Sequence, residues 1–583
     1  MEAIKNSEPQ IIYTNKARCR DCYRCVRMCP VKAIRMENSQ ASVDPQRCVL
    51  CGTCINECPQ EAKSYQKEYS IVREWIAAGE TVVATVAPSF AALLDSWETS
   101  RFPSALRKLG FNKVAETAEG AHISALASLD YLQAEQPERA LASACPAAVR
   151  LIEKYHPEAV KELIPVQSPM VIHGKMLKEK YGSWSRVVFI GPCVAKKAEA
   201  LLHPDSIDAA LTFEELFDWL ADERISLQNC EESGFDDPAP SLARLYPLQG
   251  GMLKTAGLQT EPFSENLLSV TGYDEITQLL ESCSDASCIA EPLFCKNGCI
   301  NGPVMQKRAP LFNRRYNLLR YQQKEAAKSC ESQLSDRIEY RRYLEQFQPN
   351  PKTSRQEITE EEIRAVLVRT GKGNPEDQLN CGACGYDNCR DKAVAVLRGM
   401  AEEEMCLPQM RRLAEQRSDK IIESTPNGVI ILDHTLKILT VNPAFRRMFR
   451  VGESILGRPI SEIMDPEPFE NLMSSPKEIL EKTVSFHNPS LVCHQILYKM
   501  PGENQMVGIF VDITGNVRDR RQLDSLRSEI VLKAQELLDH QVQMAQTLAK
   551  ALGENTARGE ELVEHLMHLA RQDSLNGFGR ESE

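Results

Sequence analysis

The residue type whose spacing points most directly to chemistry in this 583-residue chain is cysteine, which occurs 21 times. Two runs share the spacing C-x2-C-x2-C-x3-C and are each followed by proline: Cys19, Cys22, Cys25 and Cys29, and Cys48, Cys51, Cys54 and Cys58. Three thiolates on a tight loop can converge on one face of an iron–sulfur cube while the fourth arrives from a distance. The two runs therefore predict two 4Fe-4S clusters that interlock.

This double run is typical of bacterial two-cluster ferredoxins, in which the fourth cysteine of each run ligates the other cluster. One predicted ligand set is Cys19, Cys22, Cys25 and Cys58, and the other is Cys48, Cys51, Cys54 and Cys29. We call them the first and the second ferredoxin set. A structural zinc site is the alternative for either set, because zinc also accepts four thiolates.

A third group of cysteines lies far downstream, in LNCGACGYDNCRDKAVAVLRGMAEEEMCLPQM. Its members are Cys381, Cys384, Cys389 and Cys406, in the pattern C-x2-C-x4-C-x16-C. The stretch DKAVAVLRGMAEEEM predicts a helix that carries the fourth thiolate back to the loop. We expect another 4Fe-4S cluster here, with a zinc knuckle as the alternative.

Four of the remaining cysteines lie in short motifs rich in Gly, Pro and small residues. Cys145 lies in SACPAAV, Cys193 in GPCVAKKAE, and Cys295 and Cys299 in AEPLFCKNGCINGP. Small residues let a backbone approach a bulky inorganic group closely, so four thiolates from three loops would suit one more cube. The last five cysteines have no motif partner and are expected to be buried or inert, with an accessory site at Cys283 and Cys288 as a further option. They are Cys230, Cys283, Cys288, Cys330 and Cys493.

At these motifs the chain resembles the catalytic domain of the di-iron hydrogenases, over residues 70 to 345. Three motifs occur in the family's order: Ser143-Ala144-Cys145-Pro146, then Pro192-Cys193 with Lys196 and Glu199, then Glu291 with Cys295 and Cys299. Connecting stretches such as TVAPSF and LRKLGFNKV also resemble the family. The resemblance implies the interconversion of H2 with two protons and two electrons.

The resemblance also implies an H-cluster, which is a 4Fe-4S cube bridged to a di-iron unit with CO, CN and an azadithiolate bridge. Cys145, Cys193, Cys295 and Cys299 would hold the cube, and Cys299 would bridge to the di-iron unit. Lys196 would hydrogen-bond one cyanide, and Pro88 and Ser89 would lie near the other.

Three positions depart from the pattern of the hydrogen-producing members. The residue before the first ligand, usually a proton-relaying cysteine, is Ala144, which has no titratable atom. Two methionines that usually lie near the di-iron unit are replaced by Gly191 and Leu293. These departures match the sensory branch of the family, often called HydS, which also carries an extra cluster domain and sometimes a PAS domain.

The composition sets the broad class of protein. The chain has 81 acidic and 69 basic residues and a net charge of −12, which argues against a sequence-independent grip on nucleic acid. No apolar run approaches the roughly 18 residues of a membrane span. The start, MEAIKNSEPQ, lacks the apolar core of a signal peptide, so we expect a cytoplasmic protein whose clustered cysteines bind metal instead of forming disulfides.

After residue 418 the cysteine pattern stops. The segment IIESTPNGVIILDHTLKILTVNPAFRRMF predicts a helix end, the strand GVIILD, a turn, the strand KILTVN and a helix from Pro443. With the closing strand MVGIFVDIT it resembles a PAS domain. No cysteine stands where a flavin-based light sensor would need one, and we expect His434, His487 and His494 to be surface or turn residues instead of haem ligands.

Beyond Thr514 the chain is charged and regular. Leucine, isoleucine and methionine follow an a/d rhythm from Leu523 to Leu548, broken by Lys533 and His540. This rhythm predicts a parallel dimeric coiled coil, with one amphipathic helix packed on its own PAS domain as the alternative.

The sequence therefore predicts a multidomain protein of α+β and α/β class. The expected domains are a two-cluster ferredoxin-like domain (1–68), an H-cluster domain (69–345), a small helical 4Fe-4S domain (346–411), a PAS domain (412–516) and a coiled-coil tail (517–583). Within the H-cluster domain, 229–251 reads as a surface loop because it is rich in Asp, Pro and Gly.

The sequence is compatible with three functions. The first is a slow, reversible sensor of H2 that signals through its clusters, its PAS domain and a homodimeric coiled coil to an unidentified downstream protein. The second is a catalytic hydrogenase that exchanges electrons with an external carrier such as ferredoxin. The third is an iron–sulfur scaffold without a di-iron unit, against which the cyanide-binding motif of Lys196 and Glu199 argues.

Overall fold

The computed structural model describes residues 8–237, 239–258, 266–282, 287–305, 309–327, 338–350, 358–487, 491–500 and 504–514, together with 532–538, 541 and 544. The chain divides into two compact units, Met1–Glu403 and Glu404–Glu583.

The N-terminal domain is a twofold repeat of strands and short helices. Its elements are β1 (Ile12–Thr14), α1 (Arg24–Met28), β2 (Ile34–Glu37), β3 (Gln40–Val43), α2 (Thr53–Asn56) and β4 (Lys63–Tyr65). β1 pairs with β4 and β2 with β3, both antiparallel. Each cysteine run wraps onto a short helix, entered through a left-handed residue, Tyr23 before α1 and Gly52 before α2.

The central domain contains two parallel sheets. Its strands are β5 (Val82–Val86), β6 (Lys113–Glu116), β7 (Arg139–Leu141), β8 (Arg186–Gly191), β9 (Ala209–Thr212), β10 (Leu267–Thr271) and β11 (Cys288–Leu293). One sheet has the order β6-β5-β8-β9 and the other the order β10-β11-β7. The motif cysteines follow the carboxyl ends of β7, β8 and β11, which is where parallel sheets build their sites.

Helices cover these sheets and bury their apolar strands. They are α3 (Tyr69–Ala77), α4 (Ser96–Thr99), α5 (Phe102–Lys108), α6 (Ala118–Glu135), α7 (Pro146–Tyr155), α8 (Pro169–Tyr181), α9 (Ala195–Leu202), α10 (Phe213–Asp222), α11 (Gly251–Thr255), α12 (Tyr273–Ser282) and α13 (Leu311–Ala326). β5 is buried along its whole length, as expected of a strand covered on both faces.

The prediction of a surface loop over 229–251 is wrong for its second half. A short 3-10 turn at Leu242–Leu245 packs against α6 and α13. Ala243, Leu245 and Tyr246 are buried, and Arg244 forms a buried ion pair with Glu116. Asp, Pro and Gly signal the turns of this segment but not the tertiary contacts that bury it.

The third module, residues 358–403, is a helical pair. α14 (Glu360–Arg369) begins at a capping box formed by Thr359 and Glu362, and it packs on α15 (Cys389–Leu397). The predicted helix from Asp391 through Met405 is wrong beyond Leu397. There α15 gives way to a turn at Gly399, whose φ of +65° a helix would not accommodate.

The second unit contains a long helix and a five-stranded sheet. Its elements are α16 (Leu407–Ser424), β12 (Gly428–Leu432), β13 (Ile438–Val441), α17 (Pro443–Phe449), α18 (Glu467–Ser474), β14 (Ile479–Phe486), β15 (Leu491–Met500) and β16 (Gln505–Asp512). The sheet is antiparallel with the order β13-β12-β16-β15-β14. Three buried rings, Phe445, Phe449 and Phe510, form the centre of its core.

Asn442 holds the start of this sheet together. Its side-chain oxygen accepts hydrogen bonds from the amides of Val429 and Phe445, and its side-chain nitrogen donates to the carbonyls of Ile422 and Asn427. One buried side chain thereby joins α16, β12 and α17. The strands and the helix predicted from Gly428 to Phe449 are confirmed.

The coiled coil predicted for 517–583 lies outside the described residues, apart from a helical stretch at 532–538 and residues 541 and 544. In the part of the chain that the structure describes, no helix is both long and apolar enough to cross a membrane.

Candidate metal centres

In the N-terminal domain, thiols of the same ferredoxin set raise one another's pKa. Burial raises the pKa of Cys25, Lys63 lowers it, and the thiols of Cys22, Cys19 and Cys58 raise it again. Cys58, from the other run, thus lies near Cys25. This neighbour is the one expected if the two runs exchange their fourth cysteines, and the full ligand sets stay a prediction.

The second ferredoxin set is the more deeply enclosed. Burial raises the pKa of Cys54 well above its usual range, and the thiols of Cys48, Cys51 and Cys29 add to that rise. Backbone amides point at two of these sulfurs: Ala33 N lies 3.2 Å from Cys29 Sγ and Leu50 N lies 3.3 Å from Cys48 Sγ. Such donors favour a charged thiolate, the form that binds metal.

A cavity of about 100 Å³ lies where the carboxyl ends of the two parallel sheets meet. All four motif cysteines of the central domain line it, and Lys196 does as well. Its other walls are mostly apolar. They include Pro88, Ala144, Met170, Phe189, Leu293 and Phe294.

The cavity opposes ionisation of its own thiols. Burial raises the pKa of Cys193 to about 12, and Cys145 adds to the rise while Lys196 opposes it. Burial likewise raises the pKa of Cys299 and Cys295, and their neighbouring thiols add to this effect. A buried group of thiols needs a cationic metal group to hold it deprotonated. The thiols surround the cavity without meeting at one point: among the described residues, no three His, Cys, Asp or Glu side chains are placed to share a single metal ion.

Lys196 is held at the cavity by two hydrogen bonds. Its ammonium donates to Ser168 Oγ at 2.9 Å and to Glu199 Oε2 at 2.6 Å. Glu199 lies one helical turn away in α9, so the motif K-x-x-E fixes the lysine by local geometry. Glu199 thereby positions Lys196, whose ammonium remains a hydrogen-bond donor beside the cavity.

Residues 80–303 match the C-terminal domain of the iron-only hydrogenase large subunit. This part of the chain is similar to iron-only hydrogenases, and we call it the hydrogenase domain. Residues 11–69 match a 4Fe-4S dicluster domain, 377–408 an Fe-S cluster family and 416–484 a PAS domain. The predicted fold class is therefore confirmed apart from the coiled coil.

Curated relatives match the hydrogenase domain at low identity. Iron hydrogenase 1 of Clostridium pasteurianum is 28% identical over 296 residues, which are 43% of this chain and 51% of that protein. The subunit HndD of the NADP-reducing hydrogenase of Solidesulfovibrio fructosivorans is 24% identical over 36% of this chain and 42% of its own. A cytosolic Fe-S cluster assembly factor of Yarrowia lipolytica is 29% identical over 134 residues, which are 22% of this chain and 27% of that factor. The chain thus spans about half, or less, of the length of these relatives.

Two solved structures are also similar. FeFe-hydrogenase HydA1 from Chlamydomonas reinhardtii has a TM-score of 0.39 at 16% identity, over 49% of this chain and 100% of its own. The PAS domain of an HTR-like protein from Haloarcula marismortui has a TM-score of 0.16 at 24% identity, over 18% of this chain and 99% of its own.

The cavity of the hydrogenase domain fits a bulky group with polar ligands. Ser89, on a 3-10 turn at Pro88–Ala92, is fully buried beside the cavity, and its hydroxyl has no hydrogen-bond partner among the described residues. A donor left unpaired in an apolar wall is suited to a bound acceptor. At Gly302, an added Cβ would lie 2.5 Å from the carbonyl oxygen of Pro192, so the wall there admits no side chain.

The three departures from the family pattern all lie at this cavity or beside it. Ala144 and Leu293 line the cavity directly. Gly191 ends β8, and a Cβ there would lie 2.6 Å from the ring of Phe189. Phe189 lines the cavity from the same face of β8 because side chains two residues apart point the same way.

Three features of the cavity were not predicted from the sequence. Phe189 and Tyr246 line it, yet neither belongs to a motif. Cys51, predicted only as a ligand of the second ferredoxin set, also reaches its wall. The N-terminal domain approaches closely there, since a Cβ on Gly52 would lie 2.4 Å from the Pro303 ring. The sequence can indicate a turn at Gly52, but the contact of Gly52 with Pro303 depends on how the two domains pack.

In the third module, three of the four predicted ligands lie before α15 or at its first residue. Cys381 and Cys384 precede the helix and Cys389 is its first residue, with its amide bonded to the Asn380 side chain at 2.9 Å. Cys406, in the second unit, is buried and immediately precedes α16. Its place in this set remains a prediction.

Of the cysteines without a motif partner, Cys230, Cys288 and Cys493 are buried. Burial, with a smaller effect of Asp512, raises the pKa of Cys493 to about 12. Cys283 and Cys330 lie outside the described residues, so the accessory site at Cys283 and Cys288 stays a prediction.

Proposed function

We propose that the protein is a sensory di-iron hydrogenase that reacts slowly and reversibly with H2. The observation that carries this proposal is Ala144, a methyl group on the wall of the cavity that the four motif thiols and Lys196 also line. The four predicted ligands line the cavity, but the side chain beside Cys145 has no proton to give or take. The domain boundaries given above are part of the same proposal.

When bound, the H-cluster supplies the cleavage of H2 into two protons and two electrons. Cys145, Cys193, Cys295 and Cys299 would hold its cube, and Cys299 would also be the ligand shared with the di-iron unit. Lys196 and Ser89 would donate hydrogen bonds to the small acceptor ligands of that unit. The apolar wall excludes bulk water.

Proton supply limits the rate in this proposal. The hydroxyls that line the cavity belong to Ser89, Thr117 and Tyr246. Burial raises the pKa of Tyr246 above its usual range, which makes it a poor proton donor near neutral pH. A missing acid–base group lowers a rate by about 10² to 10⁴. The alanine at position 144 therefore leads us to expect slow turnover of H2.

Electrons leave through the second ferredoxin set, because Cys51 reaches the cavity wall. From the clusters they pass to an external carrier such as ferredoxin, or the redox change reaches the PAS domain. A homodimer formed through the PAS domain and tail would present that change to a downstream protein in the cytoplasm, with neither nucleic acid nor a membrane involved.

Two other functions have support of their own. A catalytic hydrogenase is supported by the likeness to iron hydrogenase 1 and to the NADP-reducing hydrogenase subunit. A scaffold is supported by the likeness to the assembly factor. Lys196 weighs against the scaffold, because an empty cavity gives a buried ammonium no acceptor beyond Ser168 and Glu199.

Infrared spectroscopy of anaerobically matured protein tests the proposal. We expect bands of iron-bound CO and CN under argon that shift under H2, with turnover well below that of a ferredoxin-linked hydrogenase. Cys299→Ala is the matched control, and it should lose these bands while the signals of the ferredoxin sets remain. Absence of the bands from wild-type protein would favour the scaffold, and rapid turnover would favour the catalytic hydrogenase.

A further inference from the structure

The third module lies directly against the N-terminal domain through one arginine of α1. Arg27 donates through Nη1 to the carbonyl of Ala383 at 2.9 Å and through Nη2 to the carbonyl of Cys22 at 3.1 Å. Cys22 is a member of the first ferredoxin set, and Ala383 directly precedes Cys384. One guanidinium therefore joins the ligand loops of two predicted clusters.

Other contacts make this a built interface. Lys32 Nζ donates to the carbonyl of Gly385 at 2.8 Å. Met36 N donates to Met400 O at 3.0 Å, and both of these side chains are buried. A backbone bond between two buried residues ties β2 to the turn after α15.

Gly385 shows how close the approach is. Its φ is +98°, and a Cβ there would lie 2.7 Å from Val26 Cγ1 and 3.0 Å from the backbone nitrogen of Arg27. Only glycine adopts this conformation readily and leaves room for α1. The loop that carries Cys381 and Cys384 is thus shaped to fit the helix that carries Cys25.

We propose that Arg27 couples the first ferredoxin set to the third module, and that this interface is the route by which electrons reach that module. In each transfer one electron leaves a cluster of the ferredoxin domain and one enters the cluster of the third module, with no bond or proton changed. The proposal rests on the proposed function in taking the third module to hold an iron–sulfur cluster, which its match to an Fe-S cluster family supports, but it does not rest on the reaction with H2.

Charge gives Arg27 a second effect. A cube with four thiolate ligands is anionic, and its reduction potential depends on nearby charge and on hydrogen bonds. Arg27 adds a permanent positive charge beside two such groups. It therefore favours their reduced forms and links their potentials.

Arg24 offers a matched control on the same helix. It lies one turn earlier in α1 and pairs with Glu57 at 2.6 Å. Arg24→Gln removes the same charge from the N-terminal domain and leaves the bonds to Ala383 and Cys22 in place. Arg27→Gln removes charge and bridge together, whereas Arg27→Lys keeps the charge and loses the two-pronged bridge.

The experiment is electron paramagnetic resonance of the reconstituted full chain, reduced chemically at graded potentials without H2. A Cys381→Ser variant identifies the signal of the third module by its loss. In wild-type protein we expect that signal to show spin–spin interaction with the first ferredoxin set. In Arg27→Gln the spin–spin interaction should weaken. The reduction potentials of both clusters should fall by about 59 mV, which corresponds to a tenfold change in the equilibrium of a one-electron reduction.

Arg27→Lys should weaken the interaction with a smaller change in potential, and Arg24→Gln should leave the interaction at its wild-type strength. Two results would overturn the proposal: a third-module signal that does not interact with the first ferredoxin set, or equal effects of Arg24→Gln and Arg27→Gln. A third module without iron would overturn it as well, and a separate failure with H2 would leave this result standing.

Discussion

The ring of Phe189 occupies the space that any side chain at Gly191 would need, with two ring carbons 2.6 Å from the position of an added Cβ. The two residues lie on one face of β8, and the ring lines the cavity of the hydrogenase domain. The missing methionine at position 191 is thus matched by a large side chain two residues earlier. The Phe189 ring therefore fills the wall beside Gly191.

The first prediction concerns this pair. Gly191→Met should destabilise the hydrogenase domain by about 1–3 kcal/mol, because overpacking forces the Phe189 ring to move. Adding Phe189→Ala should recover part of that loss, because the methionine can then occupy the space of the ring. Urea unfolding measures both effects. Gly234→Ala is the control, because nothing lies within 4 Å of a Cβ there. An equal loss in that control would contradict the steric explanation.

The second prediction compares two lysines. Lys197 is fully buried and its ammonium lies 2.9 Å from Glu215 Oε2, so Lys197→Met leaves a buried carboxylate unpaired and should cost about 3–5 kcal/mol. Lys67 forms an exposed pair of the same length with Asp218, and Lys67→Met should cost under about 1 kcal/mol. Unfolding midpoints in urea check the difference. Similar losses would show that Lys197 is not a buried charge partner.

Spacing in the sequence predicts most of each cysteine set, because a ligand loop is a local structure. The fourth cysteine of each set comes from a more distant part of the chain, and its place stays a prediction. The motifs also identified Lys196 and Glu199, which lie one helical turn apart. Ser89 came from the family resemblance, and its unpaired hydroxyl agrees with the place assigned to it.

Residues that reach the cavity from distant parts of the chain could not be found in this way. Tyr246 lies in a segment whose composition is that of a surface loop, and it is buried only because α6 and α13 pack against the preceding turn. Phe189 looks like any apolar residue of a buried strand. Arg27 looks like a solvated charge until the third module is placed beside it.

The third prediction is a pH dependence of stability. Burial raises the pKa of Glu291 to about 8, although the amides of Met252, Leu253 and Gly250 oppose the rise. The folded state therefore holds the proton of Glu291 more tightly than the unfolded chain, in which a glutamate has a pKa of about 4.3. This contribution to the free energy of unfolding is complete below about pH 4.3 and is lost as the pH rises through about 8. The loss amounts to at most about 1.4 kcal/mol per pH unit.

Glu291→Gln should remove this part of the pH dependence, because the amide does not titrate. The exposed Glu232→Gln is the control and should leave the slope at its wild-type value. Urea midpoints between about pH 5 and pH 8 give the slopes. A slope unchanged by Glu291→Gln would mean that another group titrates in this range.

The fourth prediction concerns metal content. Chemical reconstitution without maturation should load about 16 iron atoms, since each of four cysteine sets holds a cube of four. Cys381→Ser should lower the count by about four and leave the signals of both ferredoxin sets in place. Iron and zinc analysis of the same sample provides the test. Stoichiometric zinc that depends on Cys381 would establish the zinc knuckle instead.

We propose that Ala144 makes the di-iron site slow, and restoring a thiol at this position tests that most directly. Matured wild-type, Ala144→Cys and Ala144→Ser proteins should be compared in methyl viologen-driven hydrogen evolution at several pH values. Ala144→Cys should be faster, because a thiol can carry protons between solvent and the cluster. The gain should be partial, since Gly191 and Leu293 still differ from the family pattern, and the serine control should gain less. A cysteine variant that is no faster at any pH would contradict the claim that proton delivery is the limit.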